Sequence, residues 1–276
     1  MTVAGKLVDR TLVISGGSRG IGLAIAVAAA AEGANIVLLA KTATADPRLP
    51  GTIYTAAAEI EAAGGKACPV VGDVRRDESV AAAVEAAIAQ FGGIDICVNN
   101  ASAISLEGTL DLTPKRFDLM QAVNVRGTWA LTRACLPHLR KSRGAHVLTL
   151  SPPLNLNPRW LGAYPAYTLS KYGMTMLTLG WAAEFAGQGI AFNCLWPQTL
   201  IDTAAVRNVV AGAEGAARAR SPKIMADAAI AMLTQDPRTY TGRCEVDAAV
   251  VAAAGVEDLT IYGGGENPER DLFLDD

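Results

Sequence analysis

Tyr167 and Lys171 stand four positions apart in the run Tyr167-Thr168-Leu169-Ser170-Lys171. On a helix that spacing sets both on one face, about 6 Å apart along the axis. A free tyrosine titrates at about 10 and is almost wholly protonated at neutral pH. A nearby ammonium favours the phenolate and lowers that value. Such a tyrosine can exchange a proton with an alcohol or carbonyl oxygen while a nicotinamide exchanges hydride. The chemistry therefore needs a helix under the pair and a dinucleotide beside it. Pro165 suits the first helical turn, where its missing N–H costs nothing, and a helical pattern follows over 164–187.

The place for the dinucleotide is the stretch Thr11-Leu12-Val13-Ile14-Ser15-Gly16-Gly17-Ser18-Arg19-Gly20-Ile21-Gly22. Thr11 to Ile14 form a β-prone apolar run, and the Ala-rich run from Ile21 to Ala31 has the propensity for a helix. Between them glycines let the backbone turn sharply and approach a ligand where a Cβ would clash. The unpaired N–H groups of the helix start then face the turn, a site suited to pyrophosphate.

Strand-like runs recur at 11–15, 35–40, 67–72, 94–99, 145–150, 190–196 and 243–247, separated by helical patterns at 20–32, 53–64, 78–91, 113–140, 164–187 and 223–234. This alternation predicts an α/β fold: one doubly wound Rossmann domain with a parallel sheet of about seven strands. The whole chain, 1–276, reads as that one domain, with a small mobile lid at about 200–222 and a C-terminal tail at 248–276. Residues 41–52 contain Asp46-Pro47 and Leu49-Pro50-Gly51 and read as a loop able to fold over the cofactor.

A net charge of −3 excludes a basic field for nucleic acid. The five cysteines lie far apart without a Cys-x-x-Cys, and there are two histidines, so neither a zinc site nor a disulfide framework is expected. The longest apolar run, Ile21 to Ala31, is too short to span a bilayer, and the first residues lack a signal-peptide core. A cytoplasmic protein is expected.

The glycine spacing Gly16-x-x-x-Gly20-x-Gly22, with Asn99-Asn100-Ala101-Ser102, Asn124 and the Tyr/Lys pair downstream, resembles the short-chain dehydrogenase/reductase family. Ser15 stands where that family usually has Thr, and Ser102 where it has Gly. The resemblance implies dinucleotide contacts from Gly16, Ser18, Arg19, Gly20 and Ile21, and adenine contacts from Asp73 and Val74. It implies further contacts from Asn99 and Ala101 and, around the nicotinamide, from Pro197, Leu200 and either Thr199 or Thr203. Lys171 would hold the nicotinamide ribose, and Asn124 a water that continues the proton relay. The catalytic Ser of the family aligns with Pro152, one residue past Ser151. Ser151 is either re-aimed into the site by the two prolines or replaced by a water. Gln198 stands where the family has Gly.

At the end of the second strand Ala40 takes the position of an acid that would bind a ribose 2′-hydroxyl, and Lys41 follows it. With Arg19 in the turn, this favours NADP over NAD. The expected reaction interconverts a hydrophobic alcohol with its ketone or aldehyde. Two rivals remain: an enoyl-type C=C reductase using Tyr164, seven residues before Lys171, and a catalytically weak NADPH-binding module suggested by Pro152 and Gln198. The long helical patterns at 113–140 and 164–187 correspond to those that pair across a two-fold axis in the family, implying a homotetramer or homodimer.

Overall fold

The computed structural model describes residues 5–46 and 51–275. The seven apolar runs become seven parallel strands: β1 (Thr11–Ser15), β2 (Asn35–Ala40), β3 (Lys66–Val71), β4 (Ile96–Asn99), β5 (Ala145–Thr149), β6 (Ile190–Trp196) and β7 (Cys244–Val246). Their order in the sheet is β3-β2-β1-β4-β5-β6-β7. Strands β1, β2, β4, β5 and β6 are buried from end to end, which explains why they read as continuous apolar runs. Pro69, which cannot donate to a ladder, sits on the edge strand β3. Between β1 and β4 the order of strand addition reverses, and a crevice opens there beyond the carboxyl ends of the strands.

Among the described residues ten α-helices run in chain order: α1 (Gly20–Ala31), α2 (Ile53–Ala62), α3 (Asp77–Phe91), α4 (Pro114–Met120), α5 (Gly127–Leu139), α6 (Pro158–Ala163), α7 (Pro165–Glu184), α8 (Gly212–Ala217), α9 (Lys223–Leu233) and α10 (Asp247–Ala253). Alternation along β1 divides the core. Leu12 and Ile14 pack with Ile25 of α1 and Met225 and Met232 of α9, whereas Val13 packs with Val84 of α3, Leu131 of α5 and Trp181 of α7. Helix α2 begins at a reciprocal capping box: Thr52 Oγ1 accepts from Thr55 N while Thr55 Oγ1 accepts from Thr52 N.

Three departures from the sequence expectations bear on the site. The pattern over 113–140 is not one α-helix, because Gln121–Arg126 between α4 and α5 is π-helical and includes Asn124. Such inserts favour functional positions, where they re-aim a backbone or side chain. The segment 200–222 carries a short π-helical stretch, Val206–Val210, followed by α8. The expected C-terminal tail, 248–276, is tied back to the domain. Leu200 N donates to Glu269 O at 2.8 Å and Asp271 N to Gln198 O at 3.1 Å, flanking an antiparallel bridge between Thr199 and Arg270. Farther on, Trp160 Nε1 and Asn155 Nδ2 both donate to the Asp275 carboxylate, each at 2.9 Å. The strand pattern missed this strap because its bonds join residues about 70 and 115 positions apart, beyond any local periodicity.

Candidate active site

The glycine turn folds as it does because two of its residues occupy left-handed backbone and a third has no room for a side chain. Gly16 has φ +75° and Gly20 φ +58°. A Cβ on Gly22 would lie 2.4 Å from Asn100 Nδ2 and 2.8 Å from Gly16 O. Asn100 itself locks the turn, donating from Nδ2 to the carbonyls of Ser15 and Gly16 at 3.0 Å each. Ser15 Oγ accepts from the N–H groups of Asn100 and Ala101, so a hydroxyl suffices where the family usually places Thr. A cleft of about 1420 Å³ opens at this turn, reaching the ends of β2 and β3 and extending along the outer faces of α1 and α9. Gly16, Ser18, Arg19, Gly20, Ile21, Lys41, Asp73, Val74 and Ala101 line it together.

Asn99 does not. It is 1% exposed and donates to Thr132 Oγ1 at 2.8 Å beneath the sheet. Its neighbour Asn100 faces the cleft instead, as strand alternation requires. The Asp73 carboxylate is held below the usual range chiefly by its hydrogen bonds to Arg75, whose guanidinium contacts it at 2.6 Å. Lys41 Nζ stands 3.9 Å from the same carboxylate with most of its side chain in solvent. Arg19 Nη2 donates to Gly51 O at 2.9 Å, tying the glycine turn to the loop before α2. Residues 47–50 of that loop lie outside the described residues.

At its inner end the cleft meets a chamber of about 170 Å³, since Ile21, Asn100, Ser102 and Thr203 line both. Tyr167 and Lys171, from the buried face of α7, line this chamber with Leu150, Trp196, Pro197 and Leu200. The walls are mainly apolar, and residues of the 200–222 segment, among them Val206 and Val210, close one side. Lys171 Nζ donates to the Leu150 carbonyl at 2.9 Å and lies 5.2 Å from the centre of the Trp196 ring. Burial lowers the Lys171 amine to about 8, against the opposing pull of Asp271 and Cys194. Tyr167, 4% exposed, is not brought down as the Tyr/Lys spacing predicts. Burial first and then the Asp271 carboxylate push its phenol up, while the ammonium is engaged with a main-chain oxygen.

The remaining expected residues lie around this chamber rather than in it. Asn124 is fully buried; its amide donates to Ala103 O and Ser170 Oγ at 2.9 Å and accepts from Ala103 N at 2.7 Å. It thus fastens the turn after β4 to α7, and both its amide hydrogens are committed to protein. Ser151 is fully buried, and its Oγ has no hydrogen-bond partner. The chamber is lined by Leu150, not by Ser151. Pro152 offers its carbonyl to Thr175 Oγ1 at 2.7 Å, which holds the Pro-Pro turn inward. Thr199 is bridged to Arg270 and its hydroxyl is buried without a partner. Tyr164 caps α7 and packs among the aromatics around Phe273, outside the chamber lining.

Three residues at the site carry no role assigned from the sequence: Asn100 and Ser102, both within the Asn99–Ser102 motif, and Asp271. The first two could have been found by alternation from β4. Asp271 gave no signal, since only the strap carries it into the chamber beside Tyr167 and Lys171.

A glycine turn at a helix start, an open crevice at the switch in strand order and a buried Tyr/Lys pair together have the form of a dinucleotide-binding α/β site. The chain belongs to the short-chain dehydrogenase family, whose profile, described as short chain dehydrogenase, matches residues 10–214. It is 53% identical over 274 residues to hydroxysteroid dehydrogenase-like protein 2 of Xenopus tropicalis and 52% identical to that of Homo sapiens. Each alignment covers 99% of this chain and 65% of the relative, so the chain spans just under two thirds of their length. A crystal structure from Mycobacterium thermoresistibile of a short chain dehydrogenase superposes with a TM-score of 0.91 at 52% identity, covering 98% of this chain and 96% of that one. L-Sorbose reductase from Gluconobacter frateurii, solved with NADPH and L-sorbose, superposes with a TM-score of 0.74 at 26% identity over 88% of this chain and 96% of that one.

Proposed function

We propose that the protein is an NADP(H)-dependent oxidoreductase that interconverts a small hydrophobic alcohol with its ketone or aldehyde. The observation that carries this is the placement of Tyr167 and Lys171 side by side in a small, mainly apolar chamber continuous with the glycine-turn cleft. The cleft fits a dinucleotide: its left-handed glycines bring backbone to a ligand at the start of α1, and a Cβ at Gly16 or Gly22 would fill the turn. Bound there, a nicotinamide dinucleotide supplies or accepts the hydride.

Tyr167 Oη gives the proton to the substrate oxygen or takes it back. Lys171 serves the ribose and the charge of the pair. The apolar walls exclude water and select a hydrophobic substrate body. Arg19 and Lys41 both line the cleft, with Ala40 in place of an acid, which supports NADP. L-Sorbose reductase, solved with NADPH, gives the same cofactor a precedent in this family. The hydroxyls lining the chamber belong to Ser102 and Thr203, so these rather than Ser151 are placed to assist Tyr167.

Exposed apolar residues on the expected pairing helices, Trp129 on α5 and Leu169 and Met176 on α7, support a homodimer or homotetramer. The five cysteines are free thiols, as in a reducing compartment such as the cytoplasm. No described helix is long and apolar enough to cross a membrane.

A steady-state screen of hydrophobic alcohols, ketones, aldehydes and enals against both cofactors tests this reading. Turnover of alcohols and carbonyls with NADP(H) is the expected result; turnover of enals alone would replace it with C=C reduction through Tyr164. Lys41→Ala should weaken NADP binding about tenfold, the size of one solvent-exposed charged hydrogen bond, and leave NAD unchanged. Equal wild-type affinity for the two cofactors would overturn the NADP assignment.

A further inference from the structure

Asp271 reaches the chamber from the far end of the chain. Its N–H donates to Gln198 O at 3.1 Å, and one carboxylate oxygen accepts from Leu272 N at 2.7 Å. Two residues on, Phe273 holds φ +71°, left-handed backbone that a bulky residue adopts only when its surroundings over-determine it. Those surroundings are the rings of Trp160, Tyr167, Tyr172 and Trp196, whose centres lie 5.3–6.0 Å away. The anchor holds Asp271, half-buried, in the lining of the chamber it shares with Tyr167 and Lys171.

We propose that Asp271 is a positioning residue of this oxidoreductase: carried by the strap into the chamber that Tyr167 and Lys171 line, it places a carboxylate beside the acid–base pair and acts on the reaction through it. The proposal rests on the oxidoreductase reading above. It assigns to the strap a task that Ser151, buried outside the chamber, and Asn124, committed to protein hydrogen bonds, do not perform from inside it.

The charged and titratable groups around Asp271 make the device sensitive. Lys171 and Tyr167 face it from α7. Asp247 faces it from the start of α10, with Arg220 acting on Asp247 in turn, and Cys194 of β6 lies on the other side of Lys171. Burial raises Asp271 to about 7, Asp247 adds to the rise and Lys171 opposes it. Above neutrality the carboxylate is charged, Lys171 is held as ammonium and Tyr167 keeps its proton. Reduction of a carbonyl consumes one hydride at carbon and one proton at oxygen, and a tyrosine held protonated is ready to give that proton. Alcohol oxidation needs the phenolate, which the Asp271 charge opposes. The pair is thereby biased towards carbonyl reduction.

Asp271→Asn keeps the acceptor for Leu272 N and removes the charge; Asp271→Glu restores it. With selectively ¹³Cε-labelled lysine and the Lys171 signal assigned by its loss in Lys171→Arg, the Lys171 midpoint is read directly by NMR in the full-length protein. The midpoint should fall by roughly half a pH unit or more in Asp271→Asn, the scale of a lost opposite charge at short range, and return in Asp271→Glu. In the kinetic arm, the alkaline limb of carbonyl reduction should move to lower pH in Asp271→Asn by a similar amount. An unchanged Lys171 midpoint overturns the proposal. Absence of turnover with every screened substrate would count against the oxidoreductase reading instead, and leaves the NMR result to decide the role of Asp271.

Discussion

The two ends of the candidate site are built on opposite principles. The dinucleotide cleft is made of backbone: a glycine turn, the start of α1 and one asparagine, Asn100, that clamps two carbonyls. Its parts come from neighbouring positions or adjacent strands. The chamber is made of side chains, gathered from α7, the end of β6 and a strap 100 residues beyond Lys171. Charge follows the same division. In the cleft Asp73 is held below the carboxylate range by Arg75, whereas in the chamber region burial raises Asp247 and Asp271 above it. Binding surfaces tolerate solvent and paired charge; a proton-transfer chamber does not.

Substitutions that damage one end and spare the other would sharpen this contrast. The largest effect belongs to Phe273→Ala, which empties the socket between four aromatic rings and should cost about 3–5 kcal/mol. Denaturant unfolding measures the loss, and dinucleotide affinity of the protein that remains folded should stay near wild type. Loss of affinity equal to the loss of activity would mean that the two ends are not separable. Next comes Tyr167→Phe, which removes one hydroxyl and leaves the ring among its neighbours. Turnover should drop at least about 10²-fold with cofactor affinity unchanged by fluorescence titration; retention of turnover would displace Tyr167 as the proton donor.

Gly22→Ala attacks the other end. Its methyl would meet Asn100 Nδ2 and Gly16 O, and overpacking of that kind costs about 1–3 kcal/mol. Dinucleotide binding should weaken roughly tenfold while the aromatic socket, probed by near-ultraviolet dichroism, is undisturbed. A binding constant equal to wild type would show that Asn100 can swing aside without opening the turn.

The smallest effect is a dependence on pH. Asp247 is fully buried and raised to about 6, above an unfolded value of about 3.9. The folded protein therefore holds a proton that the unfolded chain releases. Stability from this group is complete below about pH 4 and lost as pH rises through about 6. Asp73, with its lowered value, behaves oppositely: its contribution is present above the ordinary range and fades as pH falls through it. The Tm of Asp247→Asn relative to wild type should accordingly rise between pH 4.5 and 7.5, values chosen to lie roughly either side of that transition. A difference that does not vary with pH would remove Asp247 from the list of buried protonated groups.

The contrast also explains what the amino-acid sequence disclosed. Strands β1 to β6, the glycine turn and the Tyr167/Lys171 pair depend on residues within a dozen positions, so periodicity and spacing reveal them. The π-helical insert at Gln121–Arg126 leaves the helical pattern of 113–140 intact and was invisible in it. Asn99 and Asn100 are equally polar, and only the register of β4 decides which of them faces the cleft. Asp271 is one acid among the 27 acidic residues of the chain; nothing local distinguishes it, because its surroundings are created by the aromatic socket and the Thr199–Arg270 bridge.

That bridge has a consequence for the order of events in making the protein. Chains emerge from their amino end, and domains tend to gain structure in that direction. The glycine turn, the start of α1, Lys41, Asp73 and Asn100 all precede residue 125, so this wall of the cleft is synthesised long before the strap, while Thr203 follows later. The floor of the chamber arrives last, when Phe273 enters its socket. A nascent chain can thus carry the glycine turn and its Asn100 clamp while its acid–base pair is still open to water, and the closing residues act as a latch on maturation as well as on the finished fold.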